Sequence, residues 1–311
     1  MKKALVIIPN VLIIGFILVF IVRYANTRME ESNQREIEEF EKMTVTVTQI
    51  VTNYLADEQQ LCDIWANYVN RSAEAGTPMT AEEVISYIRK AKISPEISGH
   101  LIFLDDPNLS GISTTENPVK PGDYSVSYKN VPIFENLDSV SDVDGAVNFT
   151  RAYTDPLNGV QSIAFMNYVK VLDPDTGKLK TGLLMRVVPL NRLEQKLVFL
   201  SGEYENVEIS FIDKDGNYII HGKSLKNSNF FEYYRSYNDV TNEEFQHVKS
   251  EVISQAGSMV IKNSKGEECL LAYSPLESLK AWYLLAYIPM YELTENRVVD
   301  WVLLGTVSLG L

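Results

Sequence analysis

The sequence predicts an α+β protein: a long N-terminal helix, then two tandem units built on central antiparallel sheets, with transmembrane helices at the flanks. Three observations carry this. Residues 28–72 contain neither Gly nor Pro and repeat apolar side chains at alternating steps of three and four. From about residue 98 the pattern changes to short apolar runs, separated by Pro-Asn, Asn-Gly and Asp-Thr-Gly groups that mark turns. Two stretches at the ends, 4–22 and 301–311, carry no charge.

Composition narrows the function classes. The 311 residues carry 28 Lys and Arg against 41 Asp and Glu, a net charge of −13. A nucleic-acid binder needs a basic footprint, so that class is excluded. Two cysteines are too few for a disulfide framework or a cysteine zinc site, and His100, His221 and His247 are too scattered for paired metal ligands. No nucleophile elbow, HExxH, phosphate-binding loop or other catalytic constellation is found, so neither catalytic residues nor a cofactor are expected.

Nineteen residues, 4–22, rise about 28 Å as a helix, close to the roughly 30 Å hydrocarbon core. The run exceeds the 7–15 apolar residues of a signal peptide, and Arg23-Tyr24-Ala25-Asn26 is a poor cleavage site. Residues 1–23 are therefore expected to be a cytoplasmic start and an uncleaved anchor. At the other end, 298–311 reads as the beginning of a second span opening at Trp301, with the alternative of a hydrophobic strand or tail. Two spans would put everything between them outside the cell and both termini toward the cytoplasm. From Tyr24 onward the charge is −16, suited to a solvated exterior domain.

Residues 24–75 form the stalk helix. Ile37, Phe40, Thr44, Val47, Val51, Tyr54, Glu58, Leu61, Trp65 and Tyr68 make a heptad stripe. Its membrane end is expected to pair with a second copy in a parallel homodimer while its outer part packs on the chain's own domain; the alternative is one long core helix with no partner. Gly76-Thr77-Pro78 ends it, and Thr80-Ala-Glu-Glu83 is a capping box that opens a short helix to Lys90. Strands follow at 100–104, 147–153, 160–168 and 181–188. The chain then repeats itself. Leu101-Ile-Phe-Leu-Asp105 matches Ile209-Ser-Phe-Ile-Asp213, and Val188-Pro189-Leu190 matches Ile288-Pro289-Met290. Two copies of one sheet unit, 76–200 and 201–297, are the economical reading. The second carries a helical insert at 229–237 and 243–254, and its hairpin turns at 213–217 and 262–266 use Gly for positive φ.

This arrangement resembles the double Cache sensor domains of bacterial membrane receptors, whose units are PAS-like. The resemblance covers roughly 24–300. It rests on Tyr153-Thr-Asp155-Pro-Leu-Asn-Gly159, on 209–222, on Asn229-Phe-Phe-Glu-Tyr-Tyr234, and on Trp282-Tyr-Leu-Leu-Ala-Tyr-Ile-Pro289. The nearest likeness is to hybrid sensor histidine kinases or diguanylate cyclases of anaerobic Firmicutes. The resemblance implies a small-molecule pocket in the membrane-distal unit. Amino-acid-binding members use Arg-x-Trp-Tyr for a carboxylate, and Tyr-x-Asp plus a later Asp for an ammonium group. Tyr153 and Asp155 fit the Tyr-x-Asp element, whose alternative reading is a strand end before a Pro turn. Val131-Pro-Ile133-Phe134 and Val187 stand where the other elements are expected, which argues against an ordinary α-amino acid. Arg151 is a candidate cation, and Tyr124 and Tyr128 are candidate walls.

The expected function is an extracytoplasmic ligand-sensing region that passes a conformational change to a cytoplasmic output domain, a histidine kinase or a diguanylate cyclase. Its alternative is a protein-interaction or adhesion ectodomain with no small ligand. Cys62 and Cys269, on a helix and a strand of different units, are not expected to pair, and 213–217 is read as a hairpin turn and not as a calcium loop.

Overall fold

The computed structural model describes residues 4–91, 96–114, 126–129, 131, 149–150, 152–204, 206–221, 227–276 and 282–295; within these, the side chains of 4–18, 21, 25, 126, 198–203 and 294–295 are outside the description. Helix α1 (Ala4–Glu74) has 71 residues, roughly 105 Å of continuous helix. Thr44 and Thr48 lie on its buried face, where an unbonded hydroxyl is costly. Each donates to the carbonyl four residues back, at 2.9 and 2.8 Å. The helix stops at Gly76, whose φ of +77° is left-handed. Helix α2 (Ala81–Lys90) opens on the predicted capping box, with Glu83 N–H donating to Thr80 Oγ1 and Thr80 N–H to Glu83 Oε2. It buries Ala81, Val84, Ile85 and Ile88.

The first sheet contains β1 (Ser98–Phe103), β2 (Ser110–Ser113), β3 (Val126–Ser127), β4 (Tyr153–Thr154), β5 (Gln161–Leu172) and β6 (Leu179–Pro189). Its order is β3-β2-β1-β6-β5-β4, antiparallel throughout. Helix α3 (Leu190–Glu203) leads to the second sheet: β7 (Glu208–Asp213), β8 (Tyr218–Ile220), β9 (Gly257–Lys262), β10 (Glu268–Pro275) and β11 (Trp282–Pro289). Helices α4 (Phe230–Tyr237) and α5 (Asn242–Val252) sit between β8 and β9, and α6 (Met290–Glu295) follows β11. The order β8-β7-β11-β10-β9 repeats β2-β1-β6-β5-β4 strand for strand.

The two sequence matches behind that repeat are not in one register. Val187 pairs with Ser98, whereas Tyr287 pairs with Glu208. With Pro189 laid on Pro289, Ser98 therefore falls on Glu208, and Asp213 falls on Phe103 instead of Asp105. The slip is two residues. A strand alternates faces with period two, so an even slip keeps every side chain on its own side.

One face of each sheet packs on α1. Phe40, Val47, Val51 and Leu55 share a core with Phe211, Leu270, Leu284 and Ile288 of the second sheet. Trp65, Ala66 and Val69 pack with Leu101, Leu184 and α2. This decides the heptad stripe: Phe40, Thr44, Val47, Val51, Glu58 and Trp65 are buried against the chain's own sheets. Of the ten stripe positions only Leu61 and Tyr68 are exposed, on a different face that also carries Ile50 and Ile64. A 3.5-residue period reports that a face is covered, and here the cover is intramolecular.

The strand expected over 147–153 is reduced, among the described residues, to β4 and a single bridge from Phe149 to Phe165. Cys62 and Cys269 are both buried free thiols. Among the described residues no helix is long and apolar enough to cross a membrane. The side chains of 4–18, most of the expected anchor, and all of 301–311 lie outside the described residues.

Candidate functional site in the first sheet

Three central strands present one face to α1 and the other away from it. On β1, Leu101 and Phe103 face the helix layer, so Ser98, His100 and Ile102 face away. On β6, Leu183, Met185 and Val187 face away; on β5, Ala164 and Met166 do. Tyr128 and Val131 cover this second face, and Tyr153 and Asp155 reach it from β4 and the turn beyond. The lining is apolar with a few polar groups set into it, as small-molecule sites commonly are.

The polar groups converge on His100, which is 1% exposed. Its Nε2 is 2.7 Å from Ser98 Oγ, and its Nδ1 is hydrogen-bonded to the Tyr128 hydroxyl. Asp155 Oδ2 lies 3.9 Å from the same Nε2. Burial pushes the His100 pKa down to about 3, so the ring is neutral at ordinary pH. Burial pushes the Asp155 carboxyl up, with the Leu157 amide and Asn158 holding it partly back. The Tyr153 phenol is pushed well up, by burial first and by the Asp155 charge second.

The two oxygens of Asp155 do different work. Oδ1 accepts the Leu157 N–H at 3.1 Å across Pro156, closing a turn that ends at Gly159 with φ +70°. Oδ2 is fully buried and, among the described residues, has no hydrogen-bond partner. The turn reading of this residue therefore accounts for one oxygen and leaves the other to be explained. A buried carboxylate oxygen without a donor is costly, and such an atom calls for an explanation.

Of the five expected site residues, the structure brings Tyr128, Tyr153 and Asp155 together; Tyr124 and Arg151 lie outside the described residues. Val187, standing where an acid was expected, is a buried wall residue on the same face. Val131 is likewise buried there, while 132–134 lie outside the described residues. Sequence reasoning missed His100 and Ser98. They sit in an almost wholly apolar run, and only the pairing of His100 with Met185 shows that they share a face with Val187.

Other candidates resolve as structure. Asp213 Oδ1 accepts the amides of Asp215 and Asn217, a hairpin turn. Among the described residues no His, Cys, Asp and Glu group is arranged to hold a metal. Phe230, Phe231, Tyr233 and Tyr234 fill the far face of the second sheet with Tyr273 and Tyr287. A cleft of about 240 Å³ lies beside Asp173 and Lys180, but those two groups already bond each other at 2.8 Å.

The buried imidazole predicts a pH dependence. An unfolded chain binds a proton at His100 below about pH 6.5, and the folded chain refuses it until about pH 3. Stability falls as pH falls through that window, by about 2 kcal/mol between pH 7 and 5 from this group. Asp155 acts in the opposite sense, because its raised pKa lets the folded chain take up a proton first. Urea titrations at both pH values should show a smaller acid loss in His100→Gln than in the native chain; an unchanged loss would remove His100 from the account.

No family model matches the sequence, and no curated protein matches it. Solved structures do match in fold. The extracellular domain of the putative histidine kinase soHK1S-Z6 is 16% identical, with a TM-score of 0.59 over 86% of this chain and 98% of that one. The ligand-binding domain of the Pseudomonas aeruginosa amino-acid chemoreceptor PctB, in complex with L-Arg, is 13% identical, with a TM-score of 0.56 over 85% and 93%. The periplasmic sensory domain of the Campylobacter jejuni chemoreceptor Tlp1 is 12% identical, with a TM-score of 0.56 over 85% and 98%. At these identities the likeness is one of fold: a long N-terminal helix and two antiparallel sheets, shared with extracellular sensor domains of chemoreceptors and histidine kinases.

Proposed function

We propose that this chain is the extracytoplasmic sensing region of a membrane receptor and binds a small molecule on the far face of the first sheet. The observation that carries the reading is the buried Oδ2 of Asp155, without a partner among the described residues, beside the neutral His100 on a largely apolar face. The ligand chemistry it favours is a small solute with a hydrogen-bond donor, such as an amine or ammonium group, aimed at that oxygen. Among the described lining residues there is no Lys or Arg, because Arg186 on β6 turns to the opposite face.

Fold neighbours lend support of a general kind: PctB was solved with L-Arg, and the P. aeruginosa amino-acid chemoreceptor PctC, with a TM-score of 0.51, with GABA. The apolar run 4–22 would anchor the chain, and 298–311 would begin the return span toward a histidine kinase or cyclase output. On this reading 76–200 is the distal unit that binds and 201–297 the proximal unit that relays, within a parallel homodimer.

The test is a thermal-shift screen of the full chain in detergent against amines, amino acids, organic acids, nucleobases and sugars. Ligand at about 100 times its Kd adds about 2.7 kcal/mol, a shift of several degrees. A donor-bearing hit should lose about 10- to 150-fold in affinity in Asp155→Asn, the worth of one charged hydrogen bond. A flat screen on folded protein, or a hit indifferent to Asp155, would overturn the assignment.

A further inference from the structure

Strand β6 lies between the proposed binding face and α1, and it is one strand thick. Leu183, Met185 and Val187 are on the side of that proposed binding face. The residues between them face the helix, and one of these is charged. Arg186 is 4% exposed, and its Nε donates to Glu58 Oε2 on α1 at 2.5 Å. Its guanidinium carbon stands 4.8 Å from the centre of the Trp65 ring, two turns further along α1. Opposite Arg186 on β1 is Gly99, between the pocket residues Ser98 and His100. A Cβ at Gly99 would sit 2.8 Å from an Ile88 methyl and 3.4 Å from the Trp65 ring. The helix layer is therefore pressed directly onto the backbone that carries the pocket's polar groups.

Glu58 also occupies a particular place along α1. Below it, Phe40 to Leu55 belong to the core shared with the second sheet; above it, Trp65 and Val69 pack with the first sheet and α2. A buried ion pair is a poor way to gain stability, since apolar residues of similar volume often do as well or better. What it adds is direction. Methyl groups slide past one another at little cost, whereas a short charged hydrogen bond fixes one atom of the strand to one atom of the helix.

We infer that the Glu58–Arg186 pair is a coupling clamp, through which the state of the pocket sets the position of α1. The inference rests on the pocket assignment above. A displacement of Met185 and Val187 shifts Arg186 with them, and Arg186 draws Glu58, at the point where α1 passes from one sheet to the other. Arg186 and Glu58 are positioning residues and touch no ligand.

The test uses the full chain, with Asp155→Asn as the perturbation of the pocket and amide hydrogen exchange as the readout. In the otherwise native chain, Asp155→Asn should change exchange across residues 55–69 by about threefold or more. In the double variant Glu58→Leu, Arg186→Met that remote change should vanish, while the amides of β1 and β5 around the pocket still respond. Should the double variant not fold, Glu58→Gln carries the test, because it keeps an acceptor but loses the charge; it should at least halve the remote change. A remote change that survives the variants, or that is absent from the native chain, overturns the clamp. No ligand enters this experiment, so a flat ligand screen tells against the sensor alone and an undiminished helix response against the clamp alone.

Discussion

Replacing Arg186 by Ala should lower the unfolding free energy by about 3–5 kcal/mol, because it leaves Glu58 buried without its cation. Glu58 is 6% exposed and its Oε2 faces Arg186 at 2.5 Å, so water has little access to the orphaned carboxylate. The loss includes the contact of the guanidinium with Trp65, worth about 0.5–2 kcal/mol. Urea unfolding of the two chains, compared at constant m-value, reads the effect. The telling control is Glu58→Leu with Arg186→Met, which removes both charges and should recover most of the loss. A single-variant loss below about 1 kcal/mol would show that the carboxylate finds solvent and that the pair is not truly buried.

Trp282→Ala should cost a comparable amount, about 3–5 kcal/mol. Trp282 opens β11, yet its ring does not stay within its own sheet. It meets Phe149, from the segment before β4, edge-on at 4.5 Å, and it lies 6.4 Å from Phe211 on β7. Phe149 in turn bridges to Phe165 on β5. Truncation thus opens a cavity where the cores of the two sheets join, a place with little freedom to collapse. Thermal unfolding should show the transition falling by several degrees, and a change of m-value would indicate that the sheets had begun to melt separately. A loss under about 1 kcal/mol would mean that the ring is not a packing element between the sheets.

Much of this architecture is legible in the sequence because it is written in local chemistry. The capping boxes Thr80/Glu83 and Thr241/Glu244 mark the true starts of α2 and α5, and Asn229 caps α4 through its side chain. The positive-φ glycines at 76, 216 and 266 stand where the turns require them. What could not be read is whatever depends on the partner across a gap. The heptad stripe fits a second helix and a sheet equally well, and Glu58 within it looks like an interruption until Arg186, 128 residues away, is placed beside it.

The candidate site shows the same division. Tyr153 and Asp155 are visible as a pattern close in sequence. His100 is not, because its role rests on the β1–β6 register and on a tyrosine 28 residues away. The internal repeat shows in short apolar matches whose relative register is off by two residues. Period-two matches cannot distinguish a strand from the same strand slipped by a full pleat.

The two sheets repeat a strand order without each having a cover of its own. A single helix serves as the layer for both sheets, its lower part on Phe211, Leu270 and Ile288 and its upper part on Leu101 and Leu184. The second unit is therefore not a portable module. A fragment beginning at 201 would carry a sheet with one bare apolar face, and a chimera that exchanged either sheet would have to bring with it the matching turns of α1. A substitution on α1 chosen to suit one sheet therefore meets a helix whose neighbouring turns the other sheet also needs.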